Sequence, residues 1–266
     1  MSPQPNAPEV EWQLEDAVAT LTFGDPGRKN LLTPSLLEAI PAALDAVVQR
    51  KARVIVLRGR GDLWSAGYDI ASIPAEIFSA DPQVVAAHPF EKCMRALEQC
   101  PVVTLAALCG AAFGGALELA LSCDLRIAEE GCLLGLPPAR LGIIYSHTGI
   151  QKLVRLVGAA NTRWLLFTAE TVDASEAARL GLVNRCVASS EFDPTVASVA
   201  DKVTRGAPRA VQGMKRILQM VESRDPLDES QRQEILQLRQ QAFESRDFAE
   251  GRRAFAEKRA PDFEGH

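Results

Sequence analysis

Short apolar runs alternate with stretches of helical spacing through the first half of the chain. Val54-Ile55-Val56-Leu57, Val102 to Cys109 and Leu125-Arg126-Ile127-Ala128 are almost uninterrupted, the pattern of strands covered on both faces. Ahead of them, Glu11 to Phe23 reads as two short strands, with Ala17, Ala19, Leu21 and Phe23 alternating against Val18, Thr20 and Thr22. Gly24 to Asn30 is a polar turn. Thr33-Pro34-Ser35-Leu36-Leu37 then predicts a helix start, with Thr33 as N-cap, Pro34 at the first helical position and Leu32 placed to staple onto Leu37. That helix is expected to reach about Lys51, with a kink at Pro41. Residues 71–90, with Pro74, Pro82 and Pro89, read as a mobile segment, followed by a helix over about 91–99. Strand alternating with helix implies crossover connections and a mostly parallel sheet, an α/β core. From about Gly149 the pattern predicts helices only. Ile150, Leu153, Val154 and Val157 hold helical spacing up to Gly158. Asp173 with Glu176 forms a capping-box start stopped by Gly181, and helices follow over roughly 191–205, 208–222 and 228–256.

The candidate chemistry concentrates in Cys109 to Asp124, where an apolar strand runs through a glycine turn into a helix carrying one carboxylate. Gly114 and Gly115 permit a close backbone approach, and a helix starting there aims free N–H groups at a ligand. Glu118 lies three residues after Gly115 and shares its face. A close-packing turn with a solvated Glu118 is the competing reading. The apolar neighbours Leu117, Leu119, Ala120 and Leu121 count against it, because they predict burial, and a buried carboxylate needs a reason. The small residues around Gly67 permit a second close approach, a weak signal when taken alone.

Composition narrows the partner. A chain of 266 residues with 47% hydrophobic residues can bury a substantial core. A formal charge of -5 disfavours nucleic acid or an anionic membrane surface, so a small molecule is the expected partner. The six cysteines lack metal-type spacing and read as reduced core thiols, which together with the absence of a visible targeting signal or membrane-length apolar run gives a cytoplasmic expectation. No metal site is expected.

With both glycine turns in view, the chain resembles the crotonase, or enoyl-CoA hydratase/isomerase, superfamily. The likeness rests on Ser65-Ala66-Gly67-Tyr68-Asp69-Ile70, on Gly114 to Ala120 with Ser122-Cys123-Asp124, on Leu141-Gly142-Ile143 and on Ala177 to Val183. It implies an α/β fold, a spiral of ββα repeats over residues 1–195, with a C-terminal helical trimerisation region over 196–266 and a homotrimer or homohexamer. It implies an acyl-CoA thioester as substrate and no cofactor beyond the coenzyme A of that substrate. The amides of Tyr68 and Gly115 would form an oxyanion hole for the thioester enolate. Ala66, Asp69, Ile70 and Ala71 would line the CoA, and Lys258 would reach its nucleotide.

The pattern also departs from the family. A hydratase of this kind holds one water between two glutamates. Glu118 matches the first, but Pro138 occupies the position of the second, and no acid occurs from Gly131 to Ile150. The same region instead supplies Tyr145, in Leu141-Gly142-Ile143-Ile144-Tyr145, which resembles the methylmalonyl-CoA decarboxylase branch. Loss of CO2 from a malonyl-type thioester yields the enolate without a base, so the expected activity is decarboxylation, with Tyr145 holding the departing carboxylate and Glu118 as the second catalytic group. Glu118 is either ionised and repelling the substrate carboxylate, or protonated by burial and donating a hydrogen bond or a proton to the enolate carbon. Hydratase, isomerase or thioester hydrolase chemistry is the alternative, and a non-catalytic scaffold or RNA-binding role stands further off. Tyr145 can also be a packing residue, His147 a helix cap, Arg140 a solvated charge or an anchor for an acidic substrate, and His88 inert.

Overall fold

Strands β1 (Val10–Glu15) and β2 (Val18–Phe23) form an antiparallel hairpin turned by Asp16 and Ala17, both with positive φ, at 43° and 67°. Two successive left-handed residues give the turn the twist of its strands. Ala19, Leu21 and Phe23 point into the core, as their alternation predicts. The computed structural model describes residues 9–68, 79, 81–222 and 228–262.

Helix α1 (Pro34–Gln49) begins where the sequence predicts, with the Thr33 hydroxyl accepting from the Leu36 amide at 3.1 Å, and it continues through Pro41. Strand β3 (Val54–Gly59) follows. Of the proline-bearing segment expected to be mobile, residues 71–78 and 80 lie outside the described residues, and most of 81–90 is helical. Helix α2 (Pro82–Ala87) is capped by Asp81, and α3 (Pro89–Gln99) by the His88 ring, whose Nδ1 accepts from the Phe90 amide at 3.2 Å. Both prolines stand at the first helical position, where the missing N–H costs nothing. His88 is therefore a capping residue.

Next come β4 (Val103–Leu108), β5 (Ala111–Phe113), α4 (Gly115–Leu121), β6 (Leu125–Glu129) and β7 (Leu133–Gly135), then a 3-10 turn over Pro138–Leu141. Helix α5 (His147–Thr168) passes through a non-helical residue at Gly158, φ 75°, where the sequence pattern predicts a stop. The second half is not purely helical. Strands β8 (Thr171–Asp173) and β9 (Arg185–Val187) flank α6 (Ala174–Leu180), and three-residue strands carry too few positions to show a period. Asp173 caps α6 by accepting from the Glu176 amide at 2.8 Å, and Gly181 ends it at φ 89°. Helices α7 (Ser189–Arg205), α8 (Pro208–Glu222), α9 (Glu229–Phe243) and α10 (Arg246–Glu257) complete the described chain. The long helix expected over 228–256 is broken by Ser245, whose hydroxyl accepts from the Phe248 amide and starts α10.

A six-stranded sheet runs β1-β2-β3-β4-β6-β9, parallel from β2 onward, beside a three-stranded sheet β5-β7-β8. The chain twice passes from the large sheet to the small one and then into a helix, as β4-β5-α4 and as β6-β7 leading through the 3-10 turn to α5. This is the ββα spiral. Both faces of the large sheet are covered: Ile55, Leu57, Ala106 and Leu108 pack toward α1, α3 and α4, while Val54, Val56, Leu105 and Ile127 pack against Phe192, Val196 and Ala200 of α7. That two-sided burial is why β3 and β4 read as continuous apolar runs.

Candidate active site

Two backbone turns meet where the sheets adjoin. Ser65 bridges Ala112 in parallel, and Tyr68 bridges Leu32. The Trp64 indole N–H donates to the Ala116 carbonyl at 2.9 Å, tying the first turn to the start of α4. Gly67 has φ 92°, and a Cβ there would stand 2.6 Å from the Phe113 carbonyl oxygen, so only glycine allows the two segments to touch. Gly114 serves a different need: the space around it is open, but its φ of 55° with ψ −121° bends the strand into the helix. A Cβ on Gly115 would lie 3.1 Å from the Phe90 ring and 3.3 Å from the Tyr68 ring. Among the described residues, neither the Tyr68 nor the Gly115 amide donates to a backbone carbonyl. Two such amides can accept one developing oxyanion.

A cavity of about 130 Å³ opens beside them, lined in part by Ala66, Tyr68, Gly115, Glu118, Pro138 and Tyr145. Of the predicted site residues, Glu118, Tyr145, Tyr68, Gly115 and Ala66 therefore converge. Asp69, Ile70 and Ala71 lie outside the described residues. Lys258 caps α10, exposed and with a left-handed backbone, and does not line the cavity. Arg140 is also exposed.

Glu118 is 1% exposed, as the apolar character of α4 predicts. Its carboxylate accepts from the Ser146 hydroxyl at 3.2 Å, and the Lys152 ammonium stands 3.6 Å away. Lys152 also pairs with Glu98 at 2.6 Å and donates to the Ser122 hydroxyl at 2.8 Å. Burial works against the Lys152 charge, but Glu118 and Glu98 overcome it and hold the ammonium above the ordinary lysine value. Ser146 is the N-cap of α5, accepting from the Gly149 amide at 3.0 Å, so one hydroxyl fixes both the helix and the carboxylate. His147 occupies the first position of that helix. Gly149 makes room beneath, since a Cβ there would stand 2.9 Å from Glu118 Oε2.

The Tyr145 hydroxyl is buried beside the Glu118 carboxylate, with no partner within normal hydrogen-bond distance among the described residues. Burial first, then the charge of Glu118 and the approach of the hydroxyl toward that carboxylate, push it well above the ordinary tyrosine range. Pro138 opens the 3-10 turn and is buried against the cavity, so no acid enters from that side.

Two charged groups of the cavity escape the sequence reading, Glu91 in the first turn of α3 and Arg239 in α9. Glu91 has only the look of a helix-start acid, and Arg239 lies in a polar stretch away from every motif. Burial, reinforced by Glu118 and opposed by Arg239, Lys152 and Arg95, pushes the Glu91 carboxyl up to about 7. Arg239 is 4% exposed, and its Nε donates to the Ile144 carbonyl at 3.4 Å.

The chain matches the enoyl-CoA hydratase/isomerase family model over residues 13–266. A probable enoyl-CoA hydratase of Bacillus subtilis is 33% identical over 258 residues, covering 96% of this chain and 98% of that one. A methylmalonyl-CoA decarboxylase complexed with 2S-carboxypropyl-CoA superposes with a TM-score of 0.90 at 28% identity, covering 100% of both chains. An enoyl-CoA hydratase/carnithine racemase from Magnetospirillum magneticum superposes at 0.75 with the same 28% identity, covering 98% and 97%. The spiral fold and the whole-length match agree that this chain belongs to the enoyl-CoA hydratase/isomerase family, the crotonase superfamily, whose enzymes process acyl-CoA.

Proposed function

We propose that this enzyme decarboxylates a short branched malonyl-CoA such as methylmalonyl-CoA. The observation that carries this reading is the Tyr145 hydroxyl, which is buried beside Glu118 with no partner within normal hydrogen-bond distance among the described residues. An unsatisfied buried hydroxyl costs roughly 1–3 kcal/mol, and a bound carboxylate would recover it. The amides of Tyr68 and Gly115 hold the thioester oxygen. Tyr145 donates to the substrate carboxylate and keeps it out of the thioester plane, so that the breaking C–C bond overlaps the carbonyl π system. CO2 leaves, and the electron pair passes to the oxygen held by the two amides. Glu118, fixed by Ser146 and Lys152, forms the polar wall opposite. The higher backbone similarity to the decarboxylase, 0.90 against 0.75 at equal identity, supports the assignment.

Ala66, Asp69, Ile70 and Ala71 contact the CoA in this reading, Lys258 reaches its nucleotide, and no cofactor is needed beyond that CoA. The protein works in the cytoplasm as a trimer or a pair of trimers, with residues 196–266 joining the subunits. Exposed Met214, Ile217, Leu218 and Val221 of α8 supply apolar surface for that contact.

Hydration of an enoyl-CoA is the second reading, favoured by the B. subtilis relative and by Glu91, which brings a second carboxyl to the cavity. One pair of assays separates them. CO2 release from methylmalonyl-CoA or ethylmalonyl-CoA is expected. Conversion of crotonyl-CoA to its 3-hydroxy thioester with no CO2 from either malonyl-type substrate overturns the decarboxylase assignment.

A further inference from the structure

Decarboxylation leaves an enolate that must still take up a proton, and the groups described so far supply none readily. The Tyr145 proton is held far more tightly than in a free tyrosine, by burial and by the Glu118 charge. Glu118 already accepts from Ser146 and faces the Lys152 ammonium. The amides of Tyr68 and Gly115 are hydrogen-bond donors only.

Helix α3 brings a different group. Phe90 packs against both oxyanion candidates at once, 5.5 Å from the Tyr68 ring and 3.1 Å from where a Gly115 Cβ would be. The next residue, Glu91, lines the same cavity as Gly115, Glu118, Tyr145 and Arg239. At the third position of a helix, a glutamate ordinarily reaches back to the cap amide. Here that amide, on His88, donates instead to the Val85 carbonyl at 3.1 Å, and the Phe90 amide is taken by the His88 ring. The cap is complete without Glu91, and its carboxyl is left for the cavity.

The geometry points to Glu91 as the proton carrier of this site, the group that protonates the α-carbon of the thioester enolate and withdraws that proton in the reverse direction, with Arg239 stabilising the carboxylate that results. In the forward step the Glu91 O–H bond breaks, a Cα–H bond forms from the enolate pair, and the O–H electrons remain on Glu91. Solvent then returns the proton. The inference rests on the reading that an acyl-CoA enolate forms against Tyr68 and Gly115, and it holds for decarboxylation and hydration alike. The carboxyl is suited to the task because burial and Glu118, acting against Arg239, Lys152 and Arg95, bring it to about 7, where a group both gives and takes a proton near neutral pH.

The test follows deuterium rather than carbon. Wild-type protein, Glu91→Gln and Glu91→Asp are incubated with propionyl-CoA in D2O, and α-deuteration is read by mass spectrometry while acyl-CoA binding is read by thermal shift. We expect wild-type exchange to rise with pH through about 7 as Glu91 becomes a base. Glu91→Gln loses about 100-fold or more of that exchange and its pH dependence, while retaining the thermal shift. Glu91→Asp, which keeps the acid but shortens its reach, falls in between. Equal exchange in wild type and Glu91→Gln, or none in a wild-type enzyme that turns over its substrate, overturns the assignment. CO2 release from methylmalonyl-CoA is measured in parallel. If exchange depends on Glu91 and no CO2 appears, the decarboxylase reading fails and the proton carrier stands.

Discussion

The Lys215–Asp124 and Lys152–Glu118 pairs differ in a way that separates structure from chemistry. Asp124 Oδ2 takes three donors, the Lys215 ammonium at 2.6 Å, the Thr104 amide at 2.7 Å and the Thr104 hydroxyl at 2.9 Å, and Lys215 spends another donor on the Val102 carbonyl at 2.8 Å. Among the described residues, Glu118 holds a hydroxyl at 3.2 Å and an ammonium at 3.6 Å, with the Tyr145 hydroxyl beside it. Yet the Asp124 side chain is 31% exposed and that of Glu118 only 2%. Burial and satisfaction run in opposite order. A carboxylate at the surface needs its donors least, and a deeply buried one needs them most, so the shortfall at Glu118 is a cost that the fold leaves for a ligand to offset. The Asp124 pair is closed and joins α8 to the ends of β4 and β6. The Glu118 pair is open on the side that faces Tyr145 and the two amides.

Removing the charge at each pair breaks this comparison most directly. Glu118→Gln, which removes the charge that faces Tyr145 and Glu91, is expected to lower acyl-CoA turnover by about 10²-fold with little change in melting temperature. A collapse in stability with only modest loss of turnover would instead make Glu118 a brace like Asp124. Tyr145→Phe, which removes the hydroxyl that completes the open side, is expected to slow decarboxylation by about 10–100-fold, the worth of one hydrogen bond to a charged group, with acyl-CoA binding retained in a thermal-shift assay. Unchanged rates would return Tyr145 to a packing role. Asp124→Ala should do the converse of Glu118→Gln. It leaves Lys215 buried without its anion and lowers unfolding free energy by about 2 kcal/mol in denaturant titration, while turnover per folded molecule stays near that of the wild type.

The smallest effect concerns Glu91. Its carboxyl is raised from 4.5 to about 7 on folding, by burial and by Glu118, against the charges of Arg239, Lys152 and Arg95. The folded state binds this proton more tightly than the unfolded chain, so the favourable contribution is complete below pH 4.5 and is lost as pH rises through 7. Glu91→Gln cannot ionise and escapes that loss. Its melting temperature should gain on the wild type between about pH 5 and 8, and a constant difference across that range would contradict the burial of the charge.

The half of the site made by glycine turns was legible before any coordinates. Gly67, Gly114 and Gly115 are the residues that permit positive φ or a close approach, and the apolar run around Glu118 foretold its burial. Local sequence suffices there because the donors are backbone groups whose positions follow from a few dihedral angles within one strand-turn-helix segment. Ser146 and Tyr145 were adjacent in sequence, but nothing local said that the hydroxyl of the first would fix Glu118 while that of the second would stay unpaired. Short strands β8 and β9 and the break at Ser245 were missed because a three-residue strand has no period and a polar helix pair has little contrast to read.

What the sequence by itself determined is therefore the α/β alternation, the caps of α1 and α6, the two glycine turns and a carboxylate buried behind them. Each is set by interactions within a few residues or by the burial periodicity of one element. Only the tertiary structure decided which charges gather around Glu118. Glu91, Lys152 and Arg239 come from α3, α5 and α9, far apart in the chain, and their ionisation is governed by one another and by the loss of water around them. Electrostatic coupling of that kind depends on distance in space and on burial, neither of which a helix's own residue pattern records.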